Sequence, residues 1–158
     1  MKKITCKNHR GEIVSLPAEK FVFRPSVYGF IVNTQKEIVT LRNKSTDKIW
    51  FPGGGVEIHE TLEDALHREI REETGLTVHV EDMALFQENF FYYEPCDEAY
   101  HAFLFFYMCR TVGDDTLIDD ENVDDLESQK PRWTPIADIT KDDIGDCSYA
   151  IYKALQKL

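Results

Sequence analysis

Little of this chain is long and apolar, and little of it is positively charged. The longest apolar run, Ala102 to Cys109, is too short to span a bilayer and suits a buried strand. The opening MKKITCKNHRGE has two lysines but no apolar stretch, so no secretory signal is expected. Four cysteines (Cys6, Cys96, Cys109, Cys147) are scattered with no CxxC pair. That pattern excludes a zinc ribbon or a disulfide framework and reads as reduced thiols in a cytoplasmic protein. GxxxxGK(S/T), GxSxG and GxGxxG are missing, and the five histidines show neither HxxxH nor HExxH spacing. P-loop, serine-hydrolase, dinucleotide-fold and zinc-protease chemistry therefore drop out. Lysine and arginine number 18 against 29 aspartates and glutamates, a net charge of −11. Such a balance disfavours binding to a nucleic-acid polymer or an anionic membrane.

What is present is a single-domain length, residues 1–158, with enough apolar content for a proper core. The negative charge is concentrated in two places. Gly54 to Leu76 holds seven acids and two arginines, and Asp114 to Glu127 holds eight acids and no base. The second stretch contains Asp120-x-Asn122-x-Asp124, but Asp125 and Pro131 stand where a calcium loop needs Gly and Glu, so a calcium site is rejected.

The first acidic stretch, GGGVEIHETLEDALHREIREETGL from Gly53, organises the rest. Thr61 with Asp64 three residues on predicts a capped helix start, and Gly75 predicts its end. Leu62, Ala65, Leu66 and Ile70 recur at helical spacing and define a buried arc. On a wheel of about 100° per residue, with Leu62 at zero, Glu69 falls at about −20° and Glu73 at about 20°, inside that arc. Glu72, at about −80°, lies at its edge. Carboxylates pressed toward an apolar face call for a compensating positive charge. Arg68 supplies one, and a hard divalent cation with oxygen ligands, Mg²⁺ or Mn²⁺, suits the remainder. The alternative, a solvated charged face, does not explain why the acids alternate with Leu66 and Ile70.

Gly54, five residues, Glu60, seven residues, then Arg68-Glu69-Ile70-Arg71-Glu72-Glu73-Thr74-Gly75-Leu76 resembles the Nudix box of the MutT-like hydrolases. His59 departs from it, standing where many members carry Gly. The resemblance implies a metal-dependent hydrolase that cleaves a diphosphate linkage in a nucleoside diphosphate linked to another moiety. A nucleoside triphosphate or dinucleoside polyphosphate is the favoured substrate. By the same resemblance Glu72 and Glu73 are metal ligands, Glu69 is a ligand or general base, and the Gly53 carbonyl is a further ligand. Arg68 would orient the glutamates, Gly54 and Gly75 shape the loops, and Glu57 and Glu60 fix the loop before the helix. An additional metal-binding acid from outside the box is assigned to Glu127. Tyr92 and Tyr93 lie where a dinucleoside polyphosphate subgroup carries a tyrosine, and Arg24, Arg42, Lys44 and Lys48 are candidate phosphate holders, Arg42 first. A noncatalytic nucleotide sensor of the same fold is the rival; it would be expected to lack box acids, and none is missing. Oligomeric state stays open, with a homodimer common among relatives.

The remaining segments read as strands in pairs. Ile4–Cys6 and Glu12–Leu16 flank a turn at Asn8–Gly11, and Ser26–Asn33 and Glu37–Arg42 form a second pair. Asn43–Lys48 is a polar loop leading to Ile49–Phe51, and Gly53–Gly55 a tight turn or close approach. Thr77–Val80, Ala84–Tyr93 and Ala102–Cys109 are strands, Glu127–Trp133 leads into an edge element, and Ile136–Ile139 and Ser148–Leu158 are helical. The predicted fold is α+β: a mixed sheet between helices, the α/β/α sandwich that the resemblance implies.

Overall fold

In a computed structural model, residues 1–44, 46–118, 130–144 and 148–158 are described. Among these residues nine strands and two α-helices run in the order β1 (Lys3–Asn8), β2 (Ile13–Pro17), β3 (Phe21–Ile31), β4 (Glu37–Arg42), β5 (Ile49–Trp50), β6 (Gly53–Gly55), α1 (Leu62–Thr74), β7 (Val78–Tyr93), β8 (Glu98–Thr111), β9 (Arg132–Pro135) and α2 (Ser148–Leu155). A six-stranded mixed sheet has the order β2-β1-β7-β8-β3-β6, and a three-stranded antiparallel sheet has β5-β4-β9.

Strand alternation divides the core in two. On β3, Val27 and Ile31 point to one face, where they meet Ala65, Leu66 and Ile70 of α1 together with Val39, Leu76, Val78 and Cys109. Phe30 points to the other, where Phe51, Leu104, Phe106, Ile136 and Ile144 pack against Ile151 and Leu155 of α2. Each face of the sheet thus has its own helix, as period-two side-chain alternation requires of a strand buried on both sides. Gly29 faces α1: a Cβ there would lie 2.8 Å from Ile70 Cδ1, so its bareness lets the helix approach.

Several elements differ from expectation in extent. The three glycines form a short strand, β6, pairing with Ser26–Tyr28 of β3 at the end of the large sheet, where a tight turn or a close approach was expected. Local propensity cannot show this pairing, because the partners are 25 to 29 positions upstream. The two strands expected at Thr77–Val80 and Ala84–Tyr93 are one, carried through two irregularities, between Val80 and Met83 and between Met83 and Leu85. β8 extends past Ala102–Cys109 at both ends. Ile136–Asp138 is a single 3-10 turn, and α2 stops at Leu155. Tyr152 and Leu155 of the helix, and Leu158 beyond its end, pack against the core, and Ile151 is the other fully buried anchor.

Candidate active site

α1 begins and ends where its sequence dictates. Thr61 caps the N-terminus by accepting the Asp64 N–H, and Asp64 accepts the Thr61 N–H in return. Gly75 closes it in the left-handed region at φ 76°. Thr74 is fully buried and returns its hydroxyl to the Ile70 carbonyl at 2.6 Å. With both ends fixed, the acids on the helix are held at constant rotation relative to the sheet.

Glu69 lies against β6. A Cβ on Gly54 would sit 2.7 Å from Glu69 Oε1, so only a bare backbone admits the carboxylate. Its side chain is 17% exposed, and burial pushes its pKa up against the opposing effect of Arg68. Glu73 reaches the same strand and accepts the Gly53 N–H at 2.7 Å. The neighbouring Gly29 N–H bonds the Pro52 carbonyl. By ladder alternation, Gly53 opposite Tyr28 is therefore a non-hydrogen-bonded pair, and its own N–H and C=O face away from β3. Glu72 stays 59% exposed.

Arg68 binds these parts together. Its Nε and Nη2 grip Glu60 in a two-pronged pair at 2.6 and 3.0 Å, Nη1 donates to Glu69 at 2.8 Å and to Glu72 at 3.4 Å, and Nη2 also reaches the Gly55 carbonyl at 3.3 Å. Glu60, 9% exposed, is held down to about 2 by that grip and by the Glu57 N–H. Four carboxylates therefore share one guanidinium or its immediate neighbourhood, leaving a local excess of negative charge at a strand without side chains.

The donor set here is entirely oxygen: the carboxylates of Glu69, Glu72 and Glu73 and the carbonyl of Gly53. That set suits a hard divalent cation and no soft one. Glu69 is desolvated with a single counter-charge, a situation that an added cation relieves. In the present arrangement Glu73 turns to Gly53 and Glu72 to Arg68. Among the described residues no three acid, histidine or cysteine side chains stand close enough to grip one ion. The residue types fit; Glu72 and Glu73 would need to rotate away from their present partners.

Other expected site residues are placed elsewhere. Arg42 is turned onto Asp47 of its own loop, donating to the Asp47 carbonyl at 2.8 Å, and does not reach the acid helix. Tyr92 donates to Asp97 at 2.7 Å, and Tyr93 packs edge-on against His9. Both sit at the far end of the β7–β8 hairpin, where the register runs Tyr92–Ala99–Phe21; β6 pairs with β3 five residues further on, at Ser26. Glu127 lies outside the described residues. His59 pairs with Glu57 on the surface. One residue passed over in favour of Arg42 is near: Arg24 of β3 lies against Gly55, its Nη2 3.2 Å from where a Cβ would be.

A NUDIX-domain family model matches residues 22–155. The chain belongs to the Nudix family. Within it, the chain is 42% identical over 57 residues to an RNA pyrophosphohydrolase of Pseudomonas syringae pv. tomato, covering 36% of each. An RNA pyrophosphohydrolase of Halorhodospira halophila is 44% identical over 54 residues, covering 34% of this chain and 30% of that one. The chain thus spans about a third of the length of the curated relatives it matches. A MutT Nudix hydrolase from Burkholderia pseudomallei superposes with TM-score 0.63 at 18% identity, covering 87% of this chain and 98% of that one. An ADP-ribose pyrophosphatase from Streptococcus suis gives 0.59 at 16% identity, covering 84% and 87%. These two likenesses show the fold, a mixed sheet between two helices, as expected for a Nudix domain. No helix among the described residues is long and apolar enough to cross a membrane.

Proposed function

We propose that this Nudix domain hydrolyses a diphosphate linkage in a nucleoside diphosphate linked to another moiety, with a nucleoside triphosphate or dinucleoside polyphosphate as substrate. One observation carries the reading: Glu69, desolvated against Gly54, shares Arg68 with Glu60 and Glu72, while Glu73 reaches the same strand at Gly53. The structural needs of the helix do not require such a set. Mg²⁺ or Mn²⁺, held by Glu69, Glu72, Glu73 and the Gly53 carbonyl, would neutralise diphosphate oxygens and make a bound water more acidic. Arg68 aims Glu69 and Glu72, and Glu60 fixes the Arg68 fork in turn. Glu69, buried against Gly54, would hold the water at that ion in position for attack. Gly54 keeps space for that carboxylate at the strand. Cys6, Cys96 and Cys109 are free thiols among the described residues.

A second substrate reading comes from the relatives described as RNA pyrophosphohydrolases. With a net charge of −11 the chain is unsuited to tracking a phosphate backbone, so only the phosphorylated end of an RNA would enter. The test is release of phosphate or pyrophosphate with Mg²⁺ from nucleoside triphosphates, dinucleoside polyphosphates, ADP-ribose, nucleotide sugars and a 5′-triphosphorylated oligonucleotide. Glu72→Gln removes a solvent-exposed carboxylate and should leave Tm unchanged while lowering kcat by about 10³-fold. Undiminished turnover in that variant would refute the assignment. Tight nucleotide binding by the wild type without any product would favour the sensor.

A further inference from the structure

α1 covers only part of the sheet face on which it lies. Val27 is buried beneath the helix, and Phe105 beside it on β8 packs against the same core. Further along, cross-strand pairing sets Phe90, His101 and Phe23 in one row over β7, β8 and β3, and Glu88, Phe103 and Pro25 in the next. There the helix has ended and the rings come to the surface: Phe23 is 74% exposed, Phe90 37%, and Phe86, in the row of Phe105, 45%. The surface is continuous. Ring centroids lie 4.3 Å apart for Phe90 and His101, 4.8 Å for His101 and Phe103, and 5.2 Å for Phe23 and His101. Its relief is uneven, since Phe23 on one side and Phe86 and Phe90 on the other are more exposed than His101 and Phe103 between them. Glu88 is the one acid in these two rows, and His101 Nε2 bonds it. A nearly neutral aromatic face thus stands on a chain whose net charge is −11.

We infer that this face is an interface between two copies of the chain, stacked sheet on sheet about a two-fold axis. Charge selects the occupant. A nucleic-acid backbone or an anionic membrane needs cations, and no lysine or arginine stands in these rows. Two acidic copies repel one another over most of their surface, and least where each is neutral. Shape agrees with that choice. A two-fold axis turns the raised Phe23 of one copy into the lower strip over His101 and Phe103 of the other, so one patch serves both partners. Area agrees as well. Phe23, Phe86 and Phe90 together expose about 300 Å² of ring surface per copy, taking about 200 Å² for each side chain. Two copies then share an apolar centre of about 600 Å², enough for an interface of roughly 1,000–1,200 Å² with its polar rim. That lies at the small end of specific interfaces, so the dimer is reversible. β6 runs antiparallel to β3 and leaves it with the Val56 N–H on the Pro25 carbonyl at 3.0 Å, heading toward Phe23. The rim therefore runs along the loop from Val56 to Glu60, where Ile58 is fully exposed.

The experiment is sedimentation velocity of the full chain from about 1 to about 200 µM, where a reversible dimer of this size dissociates. The wild type should pass from monomer to dimer across that range. Raising salt from about 50 to about 500 mM should tighten it, because screening weakens the repulsion between two acidic copies. Phe23→Ser should raise the dissociation constant about 10- to 30-fold with Tm unchanged, as its ring is exposed in the monomer. If Phe23→Ser does not fold, Ile58→Ser at the rim replaces it, with a loss of about threefold to tenfold. Tyr149→Ser on α2 and Ile13→Ser on β2 remove exposed apolar side chains elsewhere and should leave the constant within twofold. A wild type that stays monomeric throughout overturns the inference, as does a dimer that Phe23→Ser leaves intact or Ile13→Ser dissolves. A decauridylate or phosphatidylcholine vesicles bound by the wild-type monomer and not by Phe23→Ser would assign the face to bases or to lipid, and overturn it too.

Discussion

Two adjacent glycines should respond to the same substitution in opposite ways. Gly54 lies outside the left-handed region, so alanine fits its backbone. The added Cβ would be 2.7 Å from Glu69 Oε1 and 2.8 Å from its Cδ, where ordinary contact starts at 3.4 Å. The carboxylate must therefore retreat by about 0.7 Å, a movement that the flexible end of a glutamate makes at little cost. Loss of chain entropy in the unfolded state contributes about 0.4–1 kcal/mol in favour of the variant, so Tm should hold or rise by about 1–4 °C. Activity should not hold, because a misplacement of about 1 Å at a catalytic group costs on the order of 10²-fold. We expect kcat to fall about 30- to 100-fold. Gly53→Ala is the control. At φ 145° its Cβ would lie 2.0 Å from the Val27 carbonyl oxygen and 2.7 Å from the Tyr28 Cα, both backbone atoms that cannot step aside. Strain and clash together should cost at least about 3 kcal/mol and lower Tm by about 6–12 °C. Thermal melts followed by circular dichroism, with initial rates on the best substrate, decide the matter. A Gly54→Ala enzyme with wild-type kcat would show that Glu69 need not occupy its place against the strand.

Arg68→Lys keeps a positive charge but loses the fork, so activity should fall by about 10²-fold while Arg68→Ala also lowers Tm; near-normal rates in the lysine variant would mean that the two-pronged grip on Glu60 is dispensable. Glu60 titrates at about 2, below its ordinary 4.5, so its contribution to stability is complete above pH 4.5 and disappears as pH falls toward 2. The Tm advantage of wild type over Glu60→Gln should follow that window, and a gap independent of pH would contradict it. Gly29→Ala forces a Cβ to within 2.8 Å of Ile70 Cδ1 and should destabilise by about 1–3 kcal/mol, read as a Tm loss of about 2–12 °C. Because that contact seats α1, KM or kcat should worsen as well.

The acid helix was fully legible in the sequence because its information is local. Thr61, Asp64 and Gly75 mark its ends within one turn of the helix itself, and Glu69, Glu72 and Glu73 fall about where the wheel places them. Strand pairing is not local, and there the reading thinned. Nothing near Gly53–Gly55 announces that β3 is their partner, so a tight turn or close approach was expected without the strand pairing, and Arg24 ranked below Arg42. Arg42 looked suitable by charge alone, and only Asp47 beside it shows that the charge is spent within its own loop. Tyr92 and Tyr93 were chosen by distance along the chain, whereas the hairpin carries them away from β6 through space.

The last strand of the large sheet is made of glycine alone, which leaves its outer backbone unshielded by side chains. Such a rim is normally an invitation for another molecule to add a strand and begin a fibre. Here the rim is occupied: Glu73 holds the Gly53 N–H and Arg68 the Gly55 carbonyl. The charges that would cleave substrate thus also keep neighbouring copies from docking edge to edge, and stripping them away should make the protein sticky as well as inert.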